Sequence, residues 1–145
     1  MKKLELVDYD GYELYPIIFT NKRSKILSYY SPEEISKIIN SIDLTNECGI
    51  RDKCMVLIAA ETGLRASDIV FLKFSEIKWD KNIIQKMQMK TKQPIEVPIS
   101  DNIKYLLLDY LKNHRVSDDS EYIFINTQTG VPFNDAAVLT HTVRK

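Results

Sequence analysis

Glycine, proline, cysteine and histidine are scarce in this chain, at four, five, two and two of 145 residues. It has no Gly/Ser-rich linker, internal repeat or low-complexity tract, so nothing divides the sequence into separate units. The two cysteines, Cys48 and Cys54, have no further Cys or His pair near them at metal-ligand spacing, so free, buried thiols are expected and no metal is expected. An excess of charge is lacking too, since Lys plus Arg and Asp plus Glu each number 20. Net charge therefore announces no polyanionic partner, and affinity for one has to come from local clustering. Long apolar runs are also missing: the longest, Met55 to Ala60, falls far short of the roughly 20 residues that a membrane-spanning helix needs. The amino terminus meets Glu5, Asp8 and Asp10 directly after two lysines and has no apolar stretch of secretory type, so a cytoplasmic protein without membrane contact is expected.

What is present suits one globular core: 44% of residues are apolar and 28% charged. One basic cluster stands out, with Lys78, Lys81, Lys86, Lys90 and Lys92 opposed in that stretch only by Asp80. Residues 1–30 are rich in tyrosine and charge without periodicity and suit an irregular lead-in packed against a domain at 31–145. Ser31-Pro32-Glu33-Glu34 is a helix start with a capping box, and Ile35, Ile38, Ile39 and Ile42 form a buried stripe on a helix running to about Asp43. A second helix, about Arg51 to Glu61, is nearly all apolar from Cys54 to Ala60 and should be central to the core; Gly63 ends it. A short helix follows from about Ala66 to Lys73. From Trp79 to Ile99 the period changes to two, with Ile83, Gln85, Met87 and Met89 on one face and Ile84, Lys86, Gln88 and Lys90 on the other. The strand returns through Ile95, Val97 and Ile99, and Pro94 and Pro98 confine it to a sheet edge. Ile103, Leu106, Leu107, Tyr110 and Leu111 mark an amphipathic helix on which Tyr105 and Tyr110 are packing residues. Tyr122 to Ile125 is a short extended piece, and a last helix starts near Asn134 or Asp135.

The chemistry concentrates in two places. Glu61-Thr62-Gly63-Leu64-Arg65-Ala66-Ser67-Asp68 puts an arginine on a turn between two helices. Twenty-five residues after Arg65, the hairpin Lys90-Thr91-Lys92-Gln93-Pro94-Ile95-Glu96-Val97-Pro98 carries a lysine ahead of a strand ending in Val-Pro. Taken singly, each has a bland explanation: Arg65 as the ion-pair partner of Asp68 three residues on, Lys90 as a charge that protects a sheet edge. Together, in this order and spacing, they resemble the first arginine box and the hairpin lysine of tyrosine recombinases, the phage integrase family, with Leu72 to Ile77 fitting the strand-entry segment between them.

That resemblance, which runs from about Tyr30 to the end, implies an α+β, mainly helical fold with a small antiparallel three-stranded sheet. It implies a DNA-cleaving and rejoining enzyme acting through a 3'-phosphotyrosine. Arg65 would bind the scissile phosphate, Lys90 would act as general acid, and Lys86 and Lys92 would contact the DNA. The residue types suit the task. Phosphodiester cleavage builds negative charge on nonbridging oxygens and on a departing 5'-oxygen, so it needs a forked, permanent cation and a proton donor.

The family continues with a His-x-x-Arg box and a nucleophilic tyrosine. His141-Thr142-Val143-Arg144 has the literal pattern, but the interval from Arg65 is short by on the order of twenty residues. His141 and Arg144 are therefore expected on the helix that precedes the true box. No tyrosine follows Arg144. The chain is expected to be a catalytic domain truncated before its nucleophile, inactive alone and monomeric, with double-stranded DNA as partner, no cofactor, and a full-length protein that is a homo-oligomer on DNA. The alternatives are a noncatalytic DNA-binding or regulatory integrase remnant and an unrelated helical interaction module.

Overall fold

The computed structural model describes residues 30–116 and 119–144, with Arg144 as backbone alone. All of the expected lead-in except Tyr30 lies outside the described residues. Helix α1 spans Pro32–Ser41 and starts as its sequence dictates: the Ser31 hydroxyl accepts from the Glu34 amide at 3.3 Å, and the Glu34 carboxylate accepts from the Ser31 amide at 2.8 Å. Its isoleucine stripe faces the core, yet no residue of α1 is fully buried. The helix covers one flank of the core and is itself open to solvent on its other sides.

Helix α2, Gly49–Thr62, is the centre. Cys54, Met55, Val56 and Ile58 are all buried on it, and α3 (Ala66–Val70), α4 (Asp101–Asp109) and α5 (Ala137–Arg144) pack around it. The helix begins two residues earlier than expected, at a glycine whose Cβ would collide with the carbonyl oxygen of Asp43. Burial pushes the Cys54 thiol well above its ordinary pKa, so it is an inert packing group; Cys48, expected to be buried, is only half-buried. Helix α4 runs on into one wider turn, Tyr110–His114. Tyr110 is buried and stacks on Phe124 at 5.7 Å, and burial raises its phenol. Tyr105 is a correction: at 70% exposure it packs against little, because it lies one step outside the stripe that Ile103, Leu107 and Tyr110 turn inward.

The sheet is antiparallel in the order β1-β2-β3, with β1 at Ile77–Lys78, β2 at Ile83–Met87 and β3 at Pro94–Pro98. Trp79 to Asn82 form the turn between β1 and β2, so the strand starts later than its alternating pattern suggests. Lys86 pairs with Ile95 and Ile84 with Val97 in the register. The Gln88 amide bonds to the Gln93 carbonyl and the Ile99 amide to the Asn82 carbonyl, so the bonded pairs alternate through 86/95 and 84/97. The backbone groups of Pro94, Glu96 and Pro98 therefore point to the free edge. Of these only Glu96 has an N–H, so the edge offers almost no ladder to another strand. Tyr122 to Ile125 makes single bridges only, Lys73 to Tyr122 and Ile125 to Pro132. Asp135 receives the amide of Ala137 at the start of α5. Among the described residues no helix is long and apolar enough to cross a membrane.

Candidate functional site

The corner that carries Arg65 is set by its neighbours. Gly63 closes α2 in the left-handed region, at φ 65°, with its amide on the Ala59 carbonyl at 3.1 Å. The Thr62 hydroxyl donates to the Ile58 carbonyl at 2.6 Å and accepts the Leu64 amide at 3.3 Å. Leu64 is buried, and Arg65 then serves as the N-cap residue of α3, its carbonyl taking the amides of Asp68 at 2.9 Å and Ile69 at 3.1 Å. The backbone of Arg65 is thus fixed between a buried leucine and a buried helix, while its side chain is exposed. Gly63→Ala meets no atom within 4 Å, so its cost is that of the left-handed backbone alone, about 1–2 kcal/mol. Chemical denaturation measures it, and a neutral result would show that the corner relaxes to another backbone.

Asp68 does not pair with Arg65. It is fully buried, and its Oδ1 accepts the backbone amide of Met89 at 2.8 Å. Its other oxygen, Oδ2, has no hydrogen-bond partner among the described residues. The arginine box and the hairpin are thereby joined: Asp68 lies three residues after Arg65 and Met89 immediately precedes Lys90. Arg65 itself has neither an ion pair nor a hydrogen bond from its side chain among the described residues.

Lys90 and Lys92 are exposed at the tip of the hairpin. The tip is closed by the Lys92 amide on the Gln88 carbonyl at 3.0 Å and by the Thr91 hydroxyl on the Gln88 side chain at 2.6 Å. Lys92 holds φ at 56°, an unusual conformation for a residue with a side chain. Lys86, expected to contact DNA, is corrected: its side chain is 2% exposed, and its ammonium bonds to the Asp68 carbonyl at 2.8 Å and the Glu76 carboxylate at 3.2 Å. The signal was in the alternation, which puts Lys86 on the same face of β2 as Ile84. Asp68, Glu76 and Met89 went unassigned to the site because no period links them.

A cleft of about 460 Å³ lies between α1, α2 and α4, and one of about 370 Å³ is lined by Leu64 and Ala66 on either side of Arg65, but neither is lined by Arg65 or Lys90. Another of about 370 Å³ between the turn after α1 and the flank of α5 holds neither Arg65 nor Lys90. Arg65 and Lys90 are each exposed to solvent, which suits contact with a large ligand rather than an enclosed small one. Among the described residues no three His, Cys, Asp or Glu side chains gather closely enough to hold a metal ion. His141 and Arg144 both lie on α5.

The model of the phage integrase family matches residues 28–144. The tyrosine recombinase XerA of Pyrococcus furiosus is 31% identical over 96 residues, 66% of this chain and 32% of that protein. The tyrosine recombinase XerD of Listeria innocua is 27% identical, over 65% of this chain and 33% of that protein. The chain thus spans about a third of the length of these curated relatives. The crystal structure of XerA recombinase superposes with a TM-score of 0.63 at 22% identity, covering 80% of this chain and 43% of that one. The mainly helical α+β fold with its three-stranded antiparallel sheet is that of this recombinase.

Proposed function

Since the chain belongs to the phage integrase family, we propose that it forms the part of a tyrosine recombinase catalytic domain that grips the scissile phosphate of double-stranded DNA. Arg65 binds nonbridging phosphate oxygens through its forked donors. Lys90 protonates the departing 5'-oxygen in the complete enzyme, and Lys92 contacts the DNA backbone beside it. The 145-residue chain is a monomer that binds DNA without cleaving it, whereas the whole protein works as a homo-oligomer on its site.

One observation carries this reading: Arg65 is exposed on a fixed corner while Asp68, the carboxylate best spaced to neutralise it, is buried and committed to the hairpin. A charge on a rigid support with no ion-pair partner among the described residues is suited to bind an anion. The test is binding of duplex DNA by fluorescence anisotropy across a range of salt. Arg65→Ala is expected to weaken binding roughly tenfold, with the log–log salt slope smaller by about one. Unchanged affinity and slope in a folded variant would remove Arg65 from the interface.

A further inference from the structure

Lys86 is the one lysine of the basic cluster that the surface does not use. A buried ammonium on a strand is costly unless something fixed requires it, and here both of its partners lie on other elements. Its Nζ holds the backbone carbonyl of Asp68 on α3 at 2.8 Å and the carboxylate of Glu76, in the single 3-10 turn before β1, at 3.2 Å. Glu76 in turn is anchored by the Lys73 amide at 2.9 Å. Three residues further along the same hairpin arm, the Met89 amide holds the side chain of Asp68 at 2.8 Å.

Asp68 is therefore clamped twice by one arm, at its main chain by Lys86 and at its side chain by Met89. A single bond would fix a distance and leave rotation free; two bonds three residues apart also fix the orientation of the hairpin against α3. The exposed cations sit at the ends of this clamp, Arg65 three residues before Asp68 and Lys90 next to Met89. We propose that Lys86 is a positioning residue: its buried ammonium sets the angle between the Arg65 corner and the Lys90 turn, so that the two cations act on one phosphate. This deepens the reading given under Proposed function and rests on it.

The test is whether Arg65 and Lys90 cooperate in binding, read in two backgrounds. In the native chain, the Arg65→Ala and Lys90→Ala losses in duplex affinity should overlap, the double variant losing at least threefold less than the product of the two single losses. With Lys86→Met the overlap should vanish and the losses multiply, while unfolding stays cooperative. If that variant fails to fold because Glu76 is left uncompensated, Lys86→Met with Glu76→Gln removes both charges and carries the same comparison. Retention of the overlap in either folded background overturns the inference, as does its absence from the native chain. If Arg65→Ala alone has no effect on the native chain, the phosphate reading has failed instead, and Lys86 is a strut with nothing to aim.

Discussion

Arg51→Ala is expected to destabilise the folded chain by about 3–5 kcal/mol, with a fall of roughly 10 °C in Tm, although Arg51 touches neither Arg65 nor the hairpin. Its guanidinium is almost wholly enclosed. Two of its nitrogens reach Asp52 Oδ1, at 2.6 and 2.9 Å, and a third reaches the Thr127 hydroxyl at 3.0 Å and the Ile125 carbonyl at 3.3 Å. The group also lies over the Phe133 ring, 5.1 Å from its centroid. Asp52 carries the connection onward by accepting the Thr142 hydroxyl of α5 at 3.1 Å. Removing the arginine leaves a poorly hydrated carboxylate and an unmet carbonyl at the junction of α2, the 125–133 loop and α5. Arg51→Met with Asp52→Asn removes both charges and should recover more than half of the loss. Urea denaturation decides the matter: a single-variant loss below about 1 kcal/mol would mean that water reaches the pair and that the junction is held by apolar contacts instead.

That network was illegible in the sequence for a definite reason. Arg51 sits at the start of an apolar helix, where a charged residue ordinarily faces solvent, and its distant partners lie 74 and 76 residues away. Periodicity reports which face a residue occupies, never what waits opposite. The same limit explains Asp68. Its spacing from Arg65 suggested a local ion pair, whereas its actual partner is a backbone amide that carries no side-chain signature. Features set by local chemistry were legible: the Ser31 capping box, the glycine stop at Gly63, the apolar centre of α2 and the proline-guarded edge at Pro94 and Pro98. Strand β1, two residues long, has too few positions to show a period at all. Lys86 falls between these cases, because alternation gave its face correctly and only its charge pointed the other way.

Replacing Asp68 should separate what its hydrogen bond does from what its charge does. Asp68→Ala is expected to cost about 2–3 kcal/mol, because the Met89 amide loses the buried carboxylate oxygen that accepts its hydrogen bond at 2.8 Å. The loss should be concentrated at the hairpin, with the Met89 amide exchanging hydrogen far faster than the amides of α2. Asp68→Asn keeps an acceptor oxygen in the same position and puts an amide donor where Oδ2 now has no hydrogen-bond partner among the described residues. It should therefore retain the Met89 protection and most of the stability. If the two variants are equally destabilised, the charge matters more than the bond, and the carboxylate is opposed by the buried Lys86 ammonium rather than serving as a simple acceptor. If neither loses protection at Met89, the hairpin is oriented by its packing alone. The bond at 2.8 Å would then be a consequence of the relation between Arg65 and Lys90 and not its cause.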